Sequence, residues 1–228
     1  MGKVRTDSFN YTAALRDVCF DVCAKVGEFR AIDVRAIAFS FGLARNRTSR
    51  YGEWAHVTPL RFEGGAAVVR RFSTVRRVKD GVAFVEKKEY FCAIPTVLAN
   101  DGTTRALYIF SVMAPRFYDL SVTEKIDTIM HELYHISPKF DGYVRRFSGR
   151  DWMHGSSKKA YDARAHKLAL EWLATEPDPA LYNFLSLDRK GLIERYGAIS
   201  GWRYPSVKPR AITEEEARRL APELFNAK

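Results

Sequence analysis

Cysteine is scarce in this chain, and what there is does not pair off. Cys19, Cys23 and Cys92 are too few, and odd in number, for a disulfide framework, which points to a reducing compartment. Cys19 and Cys23 stand one helical turn apart. Two thiols alone do not close a metal site, so they are expected as small core residues. Long hydrophobic runs are missing as well. No stretch approaches the roughly eighteen apolar residues of a membrane-spanning helix, and the mixed polar opening from Met1 to Asn10 has no secretory pattern. A cytoplasmic protein with no membrane partner is the expectation. Internal repeats and low-complexity runs are also absent, which excludes solenoids and compositionally disordered chains.

Acidic residues are in deficit. Asp and Glu number 27 against 37 Lys and Arg, for a net charge of +10. The excess gathers at Arg70-Arg71, Arg76-Arg77-Val78-Lys79, Lys87-Lys88, Arg145-Arg146 and Lys158-Lys159. Such a balance favours encounters with nucleic acid or other polyanions, without conferring specificity. Taken singly, each cluster also reads as a solvated face of a strand or helix.

What is present suffices for one sizeable core: 46% of the 228 residues are hydrophobic and 13% aromatic. Apolar residues at helical spacing (Ala14, Val18, Val22, Val26) predict an opening helix over residues 9 to 29. Residues 34 to 41, 66 to 75, 82 to 94 and 105 to 113 are rich in Val, Ile, Phe and Tyr and read as strands. Gly64-Gly65, Asp80-Gly81 and Asp101-Gly102 punctuate them as turns, the last two as hairpin signals. The expectation is an α+β fold with a small, mostly antiparallel sheet. Residues 1 to 175 form its main domain, and a helical extension over 176 to 228 packs on it.

The clearest helix spans residues 121 to 136. Ser121 and Glu124 form a capping box, and Ser137-Pro138 ends it. A second helix is expected over 157 to 174. On the first, Ile126, Ile129, Met130 and Leu133 fall in one stripe, and His131 and His135 point nearly opposite, toward a cleft. Two imidazoles four residues apart on a helix meet the spacing that a zinc ion needs, and Glu132 between them can reach a water without being a ligand. A third ligand must come from elsewhere. His154 is the first candidate, because it follows a glycine-containing loop and a short connection limits how far it can wander. Asp162 and Glu171 on the next helix are the carboxylate alternatives. Zinc held this way acidifies water and polarises a carbonyl, with Glu132 as general base, and Tyr143, Arg145 and Tyr161 as candidate donors to the oxyanion. Protein or peptide is the expected substrate, and the same chemistry would serve a small amide. The competing expectation is a nucleic-acid-binding accessory protein whose zinc site is structural or vestigial.

The stretch His131-Glu132-Leu133-Tyr134-His135-Ile136-Ser137-Pro138 resembles the His-Glu-Leu-Leu-His-Ile-Pro signature of a family of phage and archaeal metallopeptidases. Arg116-Phe117-Tyr118-Asp119-Leu120, just upstream, is similar to that family's connection into the active-site helix. The resemblance implies a small zincin-like domain, a Zn2+ cofactor and a phage-related origin. A further histidine after a glycine-containing loop corresponds to His154, although the loop here is longer and runs through residues 145 to 153. More distantly, the metal helix alone is similar to SprT-like proteases, which associate with DNA. This chain has no Cys-x-x-Cys pair of the kind often appended there.

Overall fold

The computed structural model describes residues 8–43, 52–148, 153–155 and 157–226. In chain order the elements are β1 (Phe9–Asn10), α1 (Tyr11–Lys25), β2 (Ile37–Leu43), β3 (Ala55–Pro59), β4 (Val68–Lys79), β5 (Val82–Ala93), β6 (Tyr108–Ala114), α2 (Val122–Tyr134) and α3 (Lys158–Leu173). There follow α4 (Pro179–Tyr182), α5 (Arg189–Tyr196), β7 (Ile199–Ser200), β8 (Arg210–Ile212), α6 (Glu214–Leu220) and α7 (Glu223–Asn226). The fold is mixed α+β. Among the described residues no helix is long and apolar enough to cross a membrane.

Among the described residues the expected small, mostly antiparallel sheet is divided into three, ordered β1-β7, β2-β6-β3 and β4-β5-β8. In the second, β2 runs parallel to β6 while β3 is antiparallel to it. Parallel pairing arises because β2 and β6 are separated by a long excursion rather than a tight turn. Asp80 and Gly81 both adopt positive φ (52° and 77°) and join Lys79 to Val82 directly, the two-residue hairpin turn that an Asp-Gly pair favours. Asp101-Gly102 makes a tight loop instead, closed by the single Leu98↔Arg105 bridge. The segment after residue 176 supplies β7 and β8 as well as helices, and so takes part in two of the sheets.

One core holds the helices on the β2-β6-β3 sheet. Leu15, Val18, Cys19 and Val22 of α1 meet Ile126, Ile129, Met130 and Leu133 of α2, Leu168 and Trp172 of α3, and Phe39 and Phe110 of the sheet. Each fully buried side chain of this size contributes roughly 2 kcal/mol. Burial pushes the Cys23 thiol up to about 12, in keeping with a packing role. Lys125 is also enclosed. Its ammonium donates to the Leu185 and Leu187 carbonyls, both at 2.8 Å, and so ties α2 to the C-terminal segment.

Candidate metal centre

The capping box that opens α2 is formed on both sides. Ser121 N–H donates to Glu124 Oε2 at 2.8 Å and Glu124 N–H to Ser121 Oγ at 3.2 Å. Ile126, Ile129, Met130 and Leu133 are all buried, so the helix is anchored by the stripe and its other side faces a cavity of about 590 Å³. His131, Glu132 and His135 line that cavity. The Arg145 N–H donates to the His135 carbonyl at 2.7 Å, and Ile136 bridges Val144, so the returning chain fixes the helix end that carries the second histidine.

His154 joins them. One ligand atom from each of His131, His135 and His154 lies within 4.8 Å of the others, and the three form a group that could hold a metal ion. His131 Nε2 and His135 Nε2 are 3.1 Å apart. Tetrahedral coordination by imidazole at about 2.0–2.1 Å sets neighbouring nitrogens about 3.4 Å apart, so the first pair already fits and His154 needs only a small inward movement. Gly155, at φ 73°, lets the chain turn beside the Phe147 ring. Residues 149 to 152 of the preceding loop lie outside the described residues.

Asp162 occupies a different place from the one a ligand would take. Its Oδ1 accepts from His131 Nδ1 at 2.9 Å, on the far side of the ring from the cluster. That bond keeps the proton on Nδ1 and leaves the Nε2 lone pair facing the other histidines. Lys158 donates to the second oxygen of Asp162 at 2.9 Å. Glu171 stands apart, 3.8 Å from Arg164. Burial holds His131 below the usual imidazole range, which favours the neutral, ligating form, with Asp162 opposing.

Glu132 is 7% exposed. Burial pushes its carboxyl up to about 8, and Glu53 adds to the rise, while His56 and the Val57 N–H pull it down. A cation held by the adjacent imidazoles would lower it further. The Val57 bond links α2 to β3, which forms the opposite wall.

The three expected oxyanion donors are all engaged outside the cavity. Tyr143 Oη accepts from Arg146 at 3.2 Å. Arg145 pairs with Glu28 at 2.9 Å and lies 4.1 Å over the Tyr134 ring. Tyr161 donates to the His131 carbonyl at 3.3 Å, and its ring packs on all three histidines at 4.7 to 5.0 Å. Tyr161 is therefore the aromatic support of the cluster.

Sequence reasoning passed over His56. It lines the cavity from β3 and its Nδ1 lies 3.1 Å from Glu53, which holds it above the usual imidazole range. The Glu53-x-x-His56 spacing is its one local signal, and a weak one.

No known protein family, curated protein or solved structure matches this chain.

Proposed function

We propose that the protein is a zinc-dependent peptidase of zincin-like architecture, with His131, His135 and His154 as ligands and Glu132 as general base. The observation that carries this reading is the convergence of three imidazoles and one buried, non-ligating carboxyl on a single cavity. Among the described residues no fourth His, Cys, Asp or Glu joins the group, and three protein ligands with a position left open distinguish catalytic from structural zinc. When bound, zinc supplies a Lewis acid that acidifies water and polarises a carbonyl. Glu132 takes a proton from the attacking water and passes it to the leaving amine as the C–N bond breaks. Asp162 orients His131, and the Tyr161 ring holds the three imidazoles in register.

The shape of the second wall supports a peptide substrate. Among the described residues β3 pairs only with β6, and its other edge, where the Val57 N–H meets Glu132, runs beside the cavity as a strand along which an extended chain can align. The test is elemental analysis on protein purified without added metal, together with cleavage of unfolded casein. About one zinc in the wild type, its loss in His131→Ala and His154→Ala, and its retention without cleavage in Glu132→Gln are the expected results. A wild-type protein that holds no zinc would remove the proposal.

A further inference from the structure

The most exposed element of the protein takes no part in the metal centre. β4 and β5 form a ribbon whose base is anchored by Val68, Phe91 and Ala93 against Ala217 and Ala221. From Arg70 to Tyr90 every residue but Ser73 is exposed on both faces. The free part is about 30 Å long at the usual rise per residue. It carries seven Arg and Lys against Asp80, Glu86 and Glu89.

The pairing register decides where those charges point. Residues opposite each other share a face, so Arg71, Arg77 and Lys79 lie with Lys88 on one side, and Arg70 and Arg76 with Lys87 on the other. Arg77 pairs with Glu86 at 2.5 Å and Arg70 with Glu89 at 3.2 Å. Lys87 sits 4.2 Å over the Phe72 ring. Among the described residues no ion pair engages Arg71, Arg76, Lys79, Lys87 or Lys88. Five cations outside any ion pair, four of them also clear of a ring and Lys87 resting on Phe72, thus project from both faces of a narrow ribbon that also exposes Val78, Val82 and Phe84.

We propose that the β4–β5 ribbon is a DNA-binding arm that lies in the major groove of a duplex, its two cationic faces turned to the phosphates of the two walls. The B-form major groove, about 12 Å wide, admits a two-stranded ribbon, whereas the deep, narrow major groove of double-stranded RNA does not. Cations on a single face would suit a flat anionic surface; cations on both faces suit a groove with two charged walls. This inference stands independently of the peptidase proposal.

The experiment is fluorescence anisotropy on the full chain with a random-sequence 24-base-pair DNA duplex, titrated over a range of salt. Four to five phosphate contacts predict a slope of log affinity against log salt of about −4. Arg71→Ala/Arg76→Ala/Lys79→Ala/Lys88→Ala removes exposed side chains only, and should weaken binding at least tenfold and flatten the slope by about 3.6. A control that removes the same charge from the body, Arg30→Ala/Lys167→Ala/Lys190→Ala/Arg219→Ala, should stay within threefold of wild type. Circular dichroism should be unchanged in both. Equal losses in the two variants would reduce the effect to net charge and overturn the proposal. No binding, or equal affinity for an RNA duplex or for vesicles rich in phosphatidylserine, would overturn it as well.

Discussion

Removing the Asp162 carboxylate separates the two roles that the residue could have at the metal. In the structure Asp162 holds the outer nitrogen of His131 at 2.9 Å, its side chain is 45% exposed, and it also serves Lys158. Loss of such an outer partner costs about 10- to 100-fold in metal affinity. Solvent access and the shared lysine put Asp162→Ala at the low end, about tenfold or about 1.4 kcal/mol. Competition with a chelating dye measures it. His131→Ala and His154→Ala should fall by more than a thousandfold in the same assay, and Lys158→Ala should bind as well as wild type or slightly better, because Asp162 is then left to His131 alone. If Asp162→Ala loses metal as completely as His131→Ala while His154→Ala keeps it, the ligand assignment is wrong. An Asp162→Ala affinity within twofold of wild type would instead show that the bond contributes nothing.

Three further outcomes follow from the packing and the charges. Trp172→Phe should lower unfolding free energy by about 2 kcal/mol in urea titration, since the buried indole donates to Asp21 Oδ2 at 2.8 Å and that oxygen loses its donor while Lys25 holds only Oδ1. Lys125→Met should cost about 1–3 kcal/mol by the same measure, because two enclosed carbonyls lose their donor. His56 should titrate above a free imidazole in an NMR pH series, and Glu53→Gln should bring it down. With its folded pKa raised, the His56 contribution to stability is full below about 6.5 and fades as pH rises through the folded value. No change in His56 titration on Glu53→Gln would refute the pairing.

The metal helix was legible because several local signals agree within one stretch: the Ser121/Glu124 box, the apolar stripe and the histidine spacing all concern neighbours in sequence. The hairpin turn at Asp80-Gly81 was legible for the same reason. β3 was not, since Ala55-His56-Val57-Thr58-Pro59 is short, mixed in polarity and closed by proline, and its pairing with β6 lies about fifty residues away in sequence. Helix α5 escaped because Gly191 interrupts it and only Leu192 of its eight residues is buried. The roles of Tyr161 and Asp162 depend on which way α3 is turned against α2. Spacing within α3 places both near the site but does not say which touches a metal and which touches a ligand.

The parallel pairing of Phe9 with Ile199 and Asn10 with Ser200 brings together segments 190 residues apart in sequence. Phe9 stacks on Tyr196 at 4.3 Å, and the Thr12 hydroxyl accepts from the Trp202 N–H at 3.1 Å, so the contact is a seam and not a single bridge. On a ribosome that adds about 5–20 residues per second, the start of α1 waits about ten seconds or more for its partner. Helix α2 waits about a third as long for one of its anchors, because the carbonyls that hold Lys125 come from Leu185 and Leu187, about sixty residues further on. The histidine helix is therefore made about sixty residues before the segment that secures it. A nascent chain carries the His131/His135 pair for a time before the far half of the protein closes around it.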